Sequence, residues 1–325
     1  MARPGEFEII EEFFAPLAGE GSFGFKDDAA KVTPAPGHIL VVTQDAIAEG
    51  IHFFPDDLPD LIAKKALRVN LSDLAAKGAT PKCFSLALGL GEQWSAEWVS
   101  AFARGLGEDC QHFDIALNGG DTFKTGGGFV ISITAIGEMP EGEYVSRLGA
   151  NVDDALFVTG TIGDGALGLL ARQNSLNHLG QEHADYLTDR YLLPRPRTGV
   201  ASVIRRFASA AMDISDGLVG DLEKLCAASG VSANVELPEI PLSTAVEVCI
   251  SHESEYLKNA LTGGDDYEIL LTVPQDKLPG FETATADLNF PVTRIGTISQ
   301  GAGVTVFDKD GSIIEFEKTS YDHSE

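Results

Sequence analysis

Basic residues are scarce in this chain: 23 Lys and Arg stand against 49 Asp and Glu, a formal net charge of −26 over 325 residues. Such a balance offers no general basic surface to a nucleic acid or an anionic membrane, so an anionic ligand must arrive with metal. No run of about 18 apolar residues is present to span a bilayer, and Met1-Ala2-Arg3-Pro4-Gly5-Glu6 lacks an apolar signal core. A cytoplasmic location is therefore expected. The four cysteines, Cys83, Cys110, Cys226 and Cys249, include no Cys-x-x-Cys pair, which suits reduced thiols in cores better than a zinc site or a disulfide frame. Also missing are a Gly-x-x-x-x-Gly-Lys-Ser/Thr loop, the protein-kinase loops, a Gly-x-Ser-x-Gly elbow and a His-Glu-x-x-His helix. Any nucleotide chemistry must rest on another fold.

What is there is a soluble composition, 44% hydrophobic and 22% charged, with 35 glycines. The length favours two domains. Apolar spacings of three and four predict an amphipathic helix over 6–17 and longer helices over 59–79 and 95–113, the last opened by Ser95. Strands are predicted over 38–48, where Ile39-Leu40-Val41-Val42 runs up to Thr43 and Asp45 at the strand end, and over 84–90, 115–117 and 129–136. After a Gly- and Asp-bearing stretch near 147–154 come strands at 155–159, 233–237, 267–273, 292–298 and 304–307, and helices at 166–172, 183–192, 199–210 and 217–229. The fold class is thus mixed α/β, divided into domains 1–148 and 149–325. Gly119-Gly120-Asp121 and Gly263-Gly264-Asp265 echo each other across the two halves.

The carboxylates that stand out sit in short Gly- or Ser-flanked segments far apart in sequence: Lys26-Asp27-Asp28-Ala29, Thr43-Gln44-Asp45, Asn70-Leu71-Ser72-Asp73, Gly119-Gly120-Asp121-Thr122, Asp213-Ile214-Ser215-Asp216-Gly217 and Gly263-Gly264-Asp265-Asp266-Tyr267. Mg²⁺ takes oxygen ligands and shares one or two carboxylates with substrate phosphates, so many such corners suit a polyphosphate and phosphoryl transfer. The remaining carboxylates are expected to form a solvated surface. Gly119-Gly120 reads as a turn whose N–H groups approach an anion while Asp121 holds a cation. Ser215 and Asp216 read as caps of the helix that follows. Asp213, between Met212 and Ile214, needs a metal or other partner for a charge among apolar neighbours. Asp73 either turns inward with compensation or faces solvent, and His52 either binds a phosphate or packs against Phe53 and Phe54.

The ordered series Gly5-Glu6-Phe7, Asp27-Asp28-Ala29-Ala30, Asp45 with Glu49-Gly50-Ile51-His52-Phe53, Asn70-Leu71-Ser72-Asp73-Leu74-Ala75-Ala76, Gly119-Gly120-Asp121-Thr122, Ser146-Arg147-Leu148-Gly149-Ala150, Asp213-Ile214-Ser215-Asp216-Gly217-Leu218 and Asp266-Tyr267-Glu268 resembles the thiamine-monophosphate kinase family. The likeness runs nearly end to end, to Tyr321-Asp322-His323. It implies ATP-dependent phosphorylation of thiamine monophosphate to thiamine diphosphate, on the two-domain fold of aminoimidazole ribonucleotide synthetase, usually in a homodimer. Domain 1–148 would then bind ATP and Mg²⁺ and dimerise, and domain 149–325 would complete the nucleotide and substrate site.

The resemblance carries roles onto Asp28, Thr43, Gln44, Asp45, Asp73, Asp121, Asp213 and Asp216 as ligands of several Mg²⁺ ions. Gly120, Asp121, Arg147 and Ser215 become nucleotide contacts, and His52, Asp265 and Tyr321 substrate contacts. Asp45, Asp73 and Asp121 would act in catalysis through metal, with no protein base. Lys26, Gln44 and Asp265 stand where the family usually has Gly, Thr and Glu, and Ser324 where it has Phe. The alternatives are another ATP-using enzyme of this fold, of the purine-pathway, selenophosphate or hydrogenase-maturation type, and a non-catalytic Mg²⁺- and nucleotide-binding module.

Overall fold

Val130–Pro140 buries every second residue, Ile131, Ile133, Ala135 and Met139 among them, the period that a pleated strand with one packed face requires. In the computed structural model, which describes residues 4–320, this strand is β4; β1 is His38–Ala48, β2 Thr80–Leu90 and β3 Ala116–Lys124. They form a sheet ordered β1-β4-β2-β3, in which only β2 and β3 run parallel. A parallel neighbour needs a crossover, and the helix between those two strands, α2 (Ala96–His112), supplies it. Ser95 caps α2 by accepting from the N–H of Trp98 at 3.1 Å. Helix α1 (Pro59–Ala76) contributes Leu67, Leu71 and Leu74 to the same core as Phe102 and Leu106 of α2 and the inward residues of the sheet. Arg68 of α1 holds Asp109 of α2 with a two-pronged contact, Nε at 2.7 Å and Nη2 at 2.8 Å.

The chain divides into two compact units, one of residues up to Leu74 with Ala79–Gly142, the other of Ala75–Gly78 with everything from Glu143 onward. The second unit is built on a seven-stranded sheet. Three of its strands, β5 (Ala155–Thr159), β6 (Ala210–Ile214) and β8 (Glu268–Val273), are buried at every position. Alternate residues go to different cores: Leu156, Met212 and Leu270 to one, Phe157, Ala211 and Leu271 to another. Both faces of the sheet are therefore covered. With β7 (Ser232–Glu236), β9 (Val292–Ser299), β10 (Gly303–Phe307) and β11 (Ile313–Ile314), the order is β11-β10-β7-β9-β5-β8-β6. Of the helices around it, α3 is Asp164–Arg172, α4 Gln181–Leu192, α5 Ala201–Phe207 and α6 Leu218–Ser229.

Several expectations from the sequence change here. The helix over 6–17 is a single α turn, Glu6–Ile9, followed by a π turn and a 3₁₀ turn that contains Pro16, and Phe7 is 83% exposed instead of packed. Thr43 and Asp45 lie in the middle of an eleven-residue strand, not at its end. Gly119-Gly120-Asp121 is no turn: pairing with β2 carries β3 straight through it, Gly120 opposite Leu86 and Asp121 opposite Ala87. Its echo at Gly263-Gly264-Asp265 lies outside any helix or strand, so the two segments share sequence without sharing backbone. The helix over 199–210 ends at Phe207, and Ala210 opens β6. Helices α7 (Thr244–His252), α8 (Glu255–Thr262) and α9 (Leu278–Thr285) were not legible. All four cysteines are free thiols, and burial pushes Cys110 up to about 12 and Cys226 and Cys249 up to about 11.

Phe102 is fully buried and stacks on Trp98 with ring centroids 5.2 Å apart. Truncation to Ala removes a whole aromatic side chain from a packed core, so Phe102→Ala is expected to lower stability by about 3–5 kcal/mol in denaturant unfolding.

Candidate active site

In the first unit two periodicities meet. Val41, Thr43, Asp45 and Ile47 alternate along β1 and share its helix-facing side, since Val41 and Ile47 are buried in the core. Asn70 and Asp73 are three apart on α1 and share one face of it. The hydroxyl of Thr43 donates to Asp73 Oδ2 at 2.5 Å, and the N–H of Asp45 donates to Asn70 Oδ1 at 3.0 Å. Asn70 is itself fixed, because its Nδ2 donates to the carbonyl of Ala66 at 3.0 Å. Asp73 thus takes the inward, compensated position. Gln44 falls on the opposite face by strand alternation, where its amide donates to Ser132 at 3.1 Å, so its side chain does not join Thr43 and Asp45.

Asp28, Gly120 and Asp121 line a cavity of about 400 Å³ whose walls include Phe14, Phe25 and Leu117. Gly120 is required there: a Cβ at that position would stand 2.0 Å from the carbonyl oxygen of Leu86 on the paired strand. Asp45, Ile133, Leu86 and Gly120 form one rung across the four strands. Three strand spacings of about 4.8 Å separate its ends, roughly 14 Å. Within one chain Asp45 and Asp121 therefore stand on opposite edges of the sheet, at different points.

His52 follows β1, and its Nδ1 accepts from the N–H of Ala48 at 3.1 Å. That leaves the ring proton on Nε2, pointing a donor away from the strand. The Lys65 ammonium, 2% exposed, donates to the carbonyl of His52 at 3.0 Å and ties the loop to α1.

In the second unit, Asp213 is 8% exposed in β6, and Ser215 and Asp216 lead into α6. Neither is the cap. The capping position is Gly217, with φ of 116° and no side-chain bond; instead Asp221, one turn into the helix, reaches back and accepts from the N–H groups of Ser215 and Asp216, both at 2.9 Å. Lys224 bridges Asp216 at 2.5 Å and Asp221 at 2.9 Å. Burial pulls the Lys224 ammonium down, but its bonds to Asp216 and Asp221 outweigh this and leave it raised. Asp265 takes a left-handed φ of 71° and donates its N–H to the carbonyl of Ser215 at 2.9 Å. Arg147 is exposed, with its carbonyl held by the Ser229 hydroxyl at 2.9 Å. Tyr321 lies outside the described residues.

Sequence reasoning did not assign Asn70, Lys65, Asp221, Lys224 or Asp266. Asn70 carried a signal, its three-residue spacing to Asp73. Asp221 and Lys224 carried a weaker one, three apart in the first turns of a helix. Among the described residues no group of three or more His, Cys, Asp and Glu is drawn close enough to hold a metal ion by itself.

The arrangement was compared with known proteins. The model of AIR synthase related protein, N-terminal domain, matches residues 26–139, and that of the C-terminal domain matches 151–309. The thiamine-monophosphate kinase of Caulobacter vibrioides is 39% identical over 313 residues, covering 95% of this chain and 88% of that protein. The enzyme of Salmonella typhimurium is 38% identical, covering 98% of each. The chain belongs to the thiamine-monophosphate kinase family. The crystal structure of the Stenotrophomonas maltophilia member superposes with a TM-score of 0.80 at 39% identity, covering 89% of this chain and 90% of that one. AaThiL complexed with AMPPCP and TMP superposes at 0.78 with 30% identity, covering 99% of each. A hydrogenase maturation protein, HypE, in complex with ATP shares the fold at 0.77 with 18% identity, covering 96% of each chain.

Gly119 and Gly120 make a paired test of the cavity. A Cβ at Gly119 meets nothing within 4 Å, whereas one at Gly120 collides with backbone. Gly119→Ala is expected to stay within about 0.5 kcal/mol of the parent in thermal unfolding, and Gly120→Ala to lose about 2 kcal/mol together with binding of a non-hydrolysable ATP analogue.

Proposed function

We propose that this chain transfers the γ-phosphoryl group of ATP to the phosphate of thiamine monophosphate, giving thiamine diphosphate and ADP. The observation that carries the reading is relatedness to a thiamine-monophosphate kinase at 39% identity over 95% of this chain, and a set of oxygen-bearing side chains dispersed over several points is compatible with it. An oxygen of the acceptor phosphate forms the new bond to the γ-phosphorus while the bond to the β,γ-bridging oxygen breaks and leaves with ADP. That acceptor oxygen is already ionised near neutral pH. No side chain need remove a proton, and none is assigned as base.

The donor set is the one Mg²⁺ favours: carboxylates, a hydroxyl and amide oxygens, with no sulfur or crowded imidazoles. Dispersal into pairs also fits, because Mg²⁺ is commonly held by one or two carboxylates and completed by phosphate and water. In this reading Asp45, Asp73 and Thr43 hold metal at one point, Asp28 and Asp121 at another, and Asp213 and Asp216 on the second unit. When bound, Mg²⁺ neutralises phosphate charge and stabilises the transferring group. Gln44 keeps only its main chain for this role, since its side chain lies on the opposite face of β1, where its Nε2 donates to Ser132.

The chain's own residues supply orientation and cation contacts. Gly120 lets the nucleotide approach the β3 backbone, Ser215 and Arg147 contact it, and His52 offers its Nε2 proton to the acceptor's phosphate. Asp265 and Tyr321 contact the thiamine end. Such positioning is the main protein contribution in phosphoryl transfer, where little covalent chemistry falls to side chains. A homodimer belongs to the same reading, supported by Val42, which projects 61% exposed from a face of the β1–β4 sheet that no described helix of the unit's core covers. A molar mass in solution equal to twice that of the chain checks it. The use of ATP agrees with the expected cytoplasmic location.

Incubation with ATP, thiamine monophosphate and Mg²⁺ is expected to yield ADP and thiamine diphosphate in equal amounts, and excess chelator to stop both. ADP release that tracks a different acceptor would overturn the reading. Asp73→Asn is expected to lower kcat by about 10²-fold or more. Raising Mg²⁺ should recover part of that loss, as metal loss predicts and loss of a base does not.

A further inference from the structure

Two carboxylates of the second unit reach no solvent and yet face the segments that carry the site. Asp266 and Asp221 are each 1% exposed. Asp266 lies between Asp265 and Tyr267, both left-handed at φ of 71° and 52°, a backbone that non-glycine residues hold only when the surroundings impose it. The imposing contacts are on the page. Asp266 accepts from the N–H of Gly163 at 2.7 Å and from that of Gly165 at 2.9 Å, at the start of α3. On the other side, the N–H groups of Asp265 and Tyr267 donate to the carbonyls of Ser215 and Ile214 at 2.9 and 2.8 Å. A Cβ on Gly165 would stand 2.2 Å from the Asp265 carbonyl oxygen, so the turn presses directly on α3.

Below this turn the chain is immobilised again. Glu268, fully buried, is gripped by Arg197 and by Arg190 at 3.0 Å, and accepts from the Thr159 hydroxyl at 2.7 Å. Arg190 also stands 3.4 Å from Asp164, whose other contacts are the hydroxyls of Thr161, Tyr186 and Ser243. Residues 266 and 268 point inward and are fixed; 265 and 267 are what they present. The nucleotide-side segment has an anchor of its own on its N–H side, Asp221 on Ser215 and Asp216, while its carbonyls at Ile214 and Ser215 take the N–H groups of the 265–267 turn.

We propose that Asp266 is a positioning residue for the acceptor end of the site: it sets the Asp265 side chain without touching substrate, while Asp221 plays the corresponding part for Ser215 and Asp216 at the nucleotide end. This rests on the assignment of Asp265 to thiamine monophosphate and Ser215 to ATP. Burial pushes the Asp266 carboxyl well up against the opposing pull of the two N–H groups, and burial likewise raises Asp221 against its bonds to Lys224 and the Asp216 N–H. Both groups are therefore held by their main-chain donors and not by exposure to water.

The test is a crossed measurement on the full chain. Asp266→Asn replaces one accepting oxygen by a donor that faces an N–H, and is expected to raise KM for thiamine monophosphate about tenfold while KM for ATP stays within about twofold. Asp221→Asn is expected to do the reverse. Dissociation constants for thiamine monophosphate and for AMPPCP, measured by calorimetry, should follow the same pattern. Both constants rising together in Asp266→Asn, or a lower Tm with neither moved, would overturn the proposal. If Asp266→Asn does not fold, Gly165→Ala displaces the same turn from the α3 side and must give the same selective change. Asp265→Ala separates the layers: if it leaves thiamine monophosphate binding intact, the substrate assignment fails, whereas weakened binding in Asp265→Ala with none in Asp266→Asn would overturn the positioning role alone.

Discussion

A carboxylate taken out of water must find donors, and in a chain with a net charge of −26 there are too few cations to supply them all. That constraint organises both units. Where arginine is available it is used two-pronged, as at Arg68–Asp109, or doubled, as with Arg190 and Arg197 on Glu268. Where it is not, the main chain serves: Asp266 and Asp221 each take two N–H groups. A buried ion without such partners would neutralise or unfold the region around it. Asp73, Asp216 and Asp265 are half exposed, and they are among the carboxylates that the proposed function assigns to ligands.

The same shortage of cations explains how an acidic protein can receive a polyphosphate. In the proposed reading, divalent ions shared by surface and ligand would remove the repulsion between them, the protein contributing oxygens and not a basic groove. The fixed positive groups near the proposed site are few and individually placed: Lys224 between Asp216 and Asp221, Arg147 on the surface, and the helix-opening N–H groups that Asp221 orients. Lys224 occupies the Asp216 carboxylate as a monovalent stand-in, a contact of modest strength for a lysine 41% exposed. A divalent ion and a phosphate together can displace it.

Much of this was legible in the sequence, and the limits have physical causes. Long periodic segments such as α1, α2 and β4 were readable because burial of one face imposes a period. The resemblance grouped Thr43, Asp45 and Asp73 as metal ligands, but their setting did not follow from it: a strand's length depends on the partners it pairs with, and β4 carries β1 past the point where its apolar run stops. Gly119-Gly120-Asp121 looked like a turn because glycines favour turns, whereas here glycine is needed because β2 lies too close for a side chain at Gly120. Ser215 and Asp216 looked like caps, yet they serve as donors, their own N–H groups going to Asp221. Local chemistry named the residue types correctly and left the tertiary partner open.

Asp265 draws these strands together. The family usually has Glu there, and the shorter side chain reduces reach by one methylene. The backbone gives a reason for the shorter residue to be tolerated: at φ of 71° the imposed left-handed backbone costs Asp less than it costs most other non-glycine residues. What is lost in reach is offset by definition, because the next residue is clamped to Gly163 and Gly165 and the peptide itself to Ser215. A short carboxylate on a rigid turn can hold a ligand through one ordered water nearly as well as a longer one directly. Rigidity of the turn, and hence the buried carboxyl of Asp266, is then what the proposed contact of Asp265 with thiamine monophosphate would depend on.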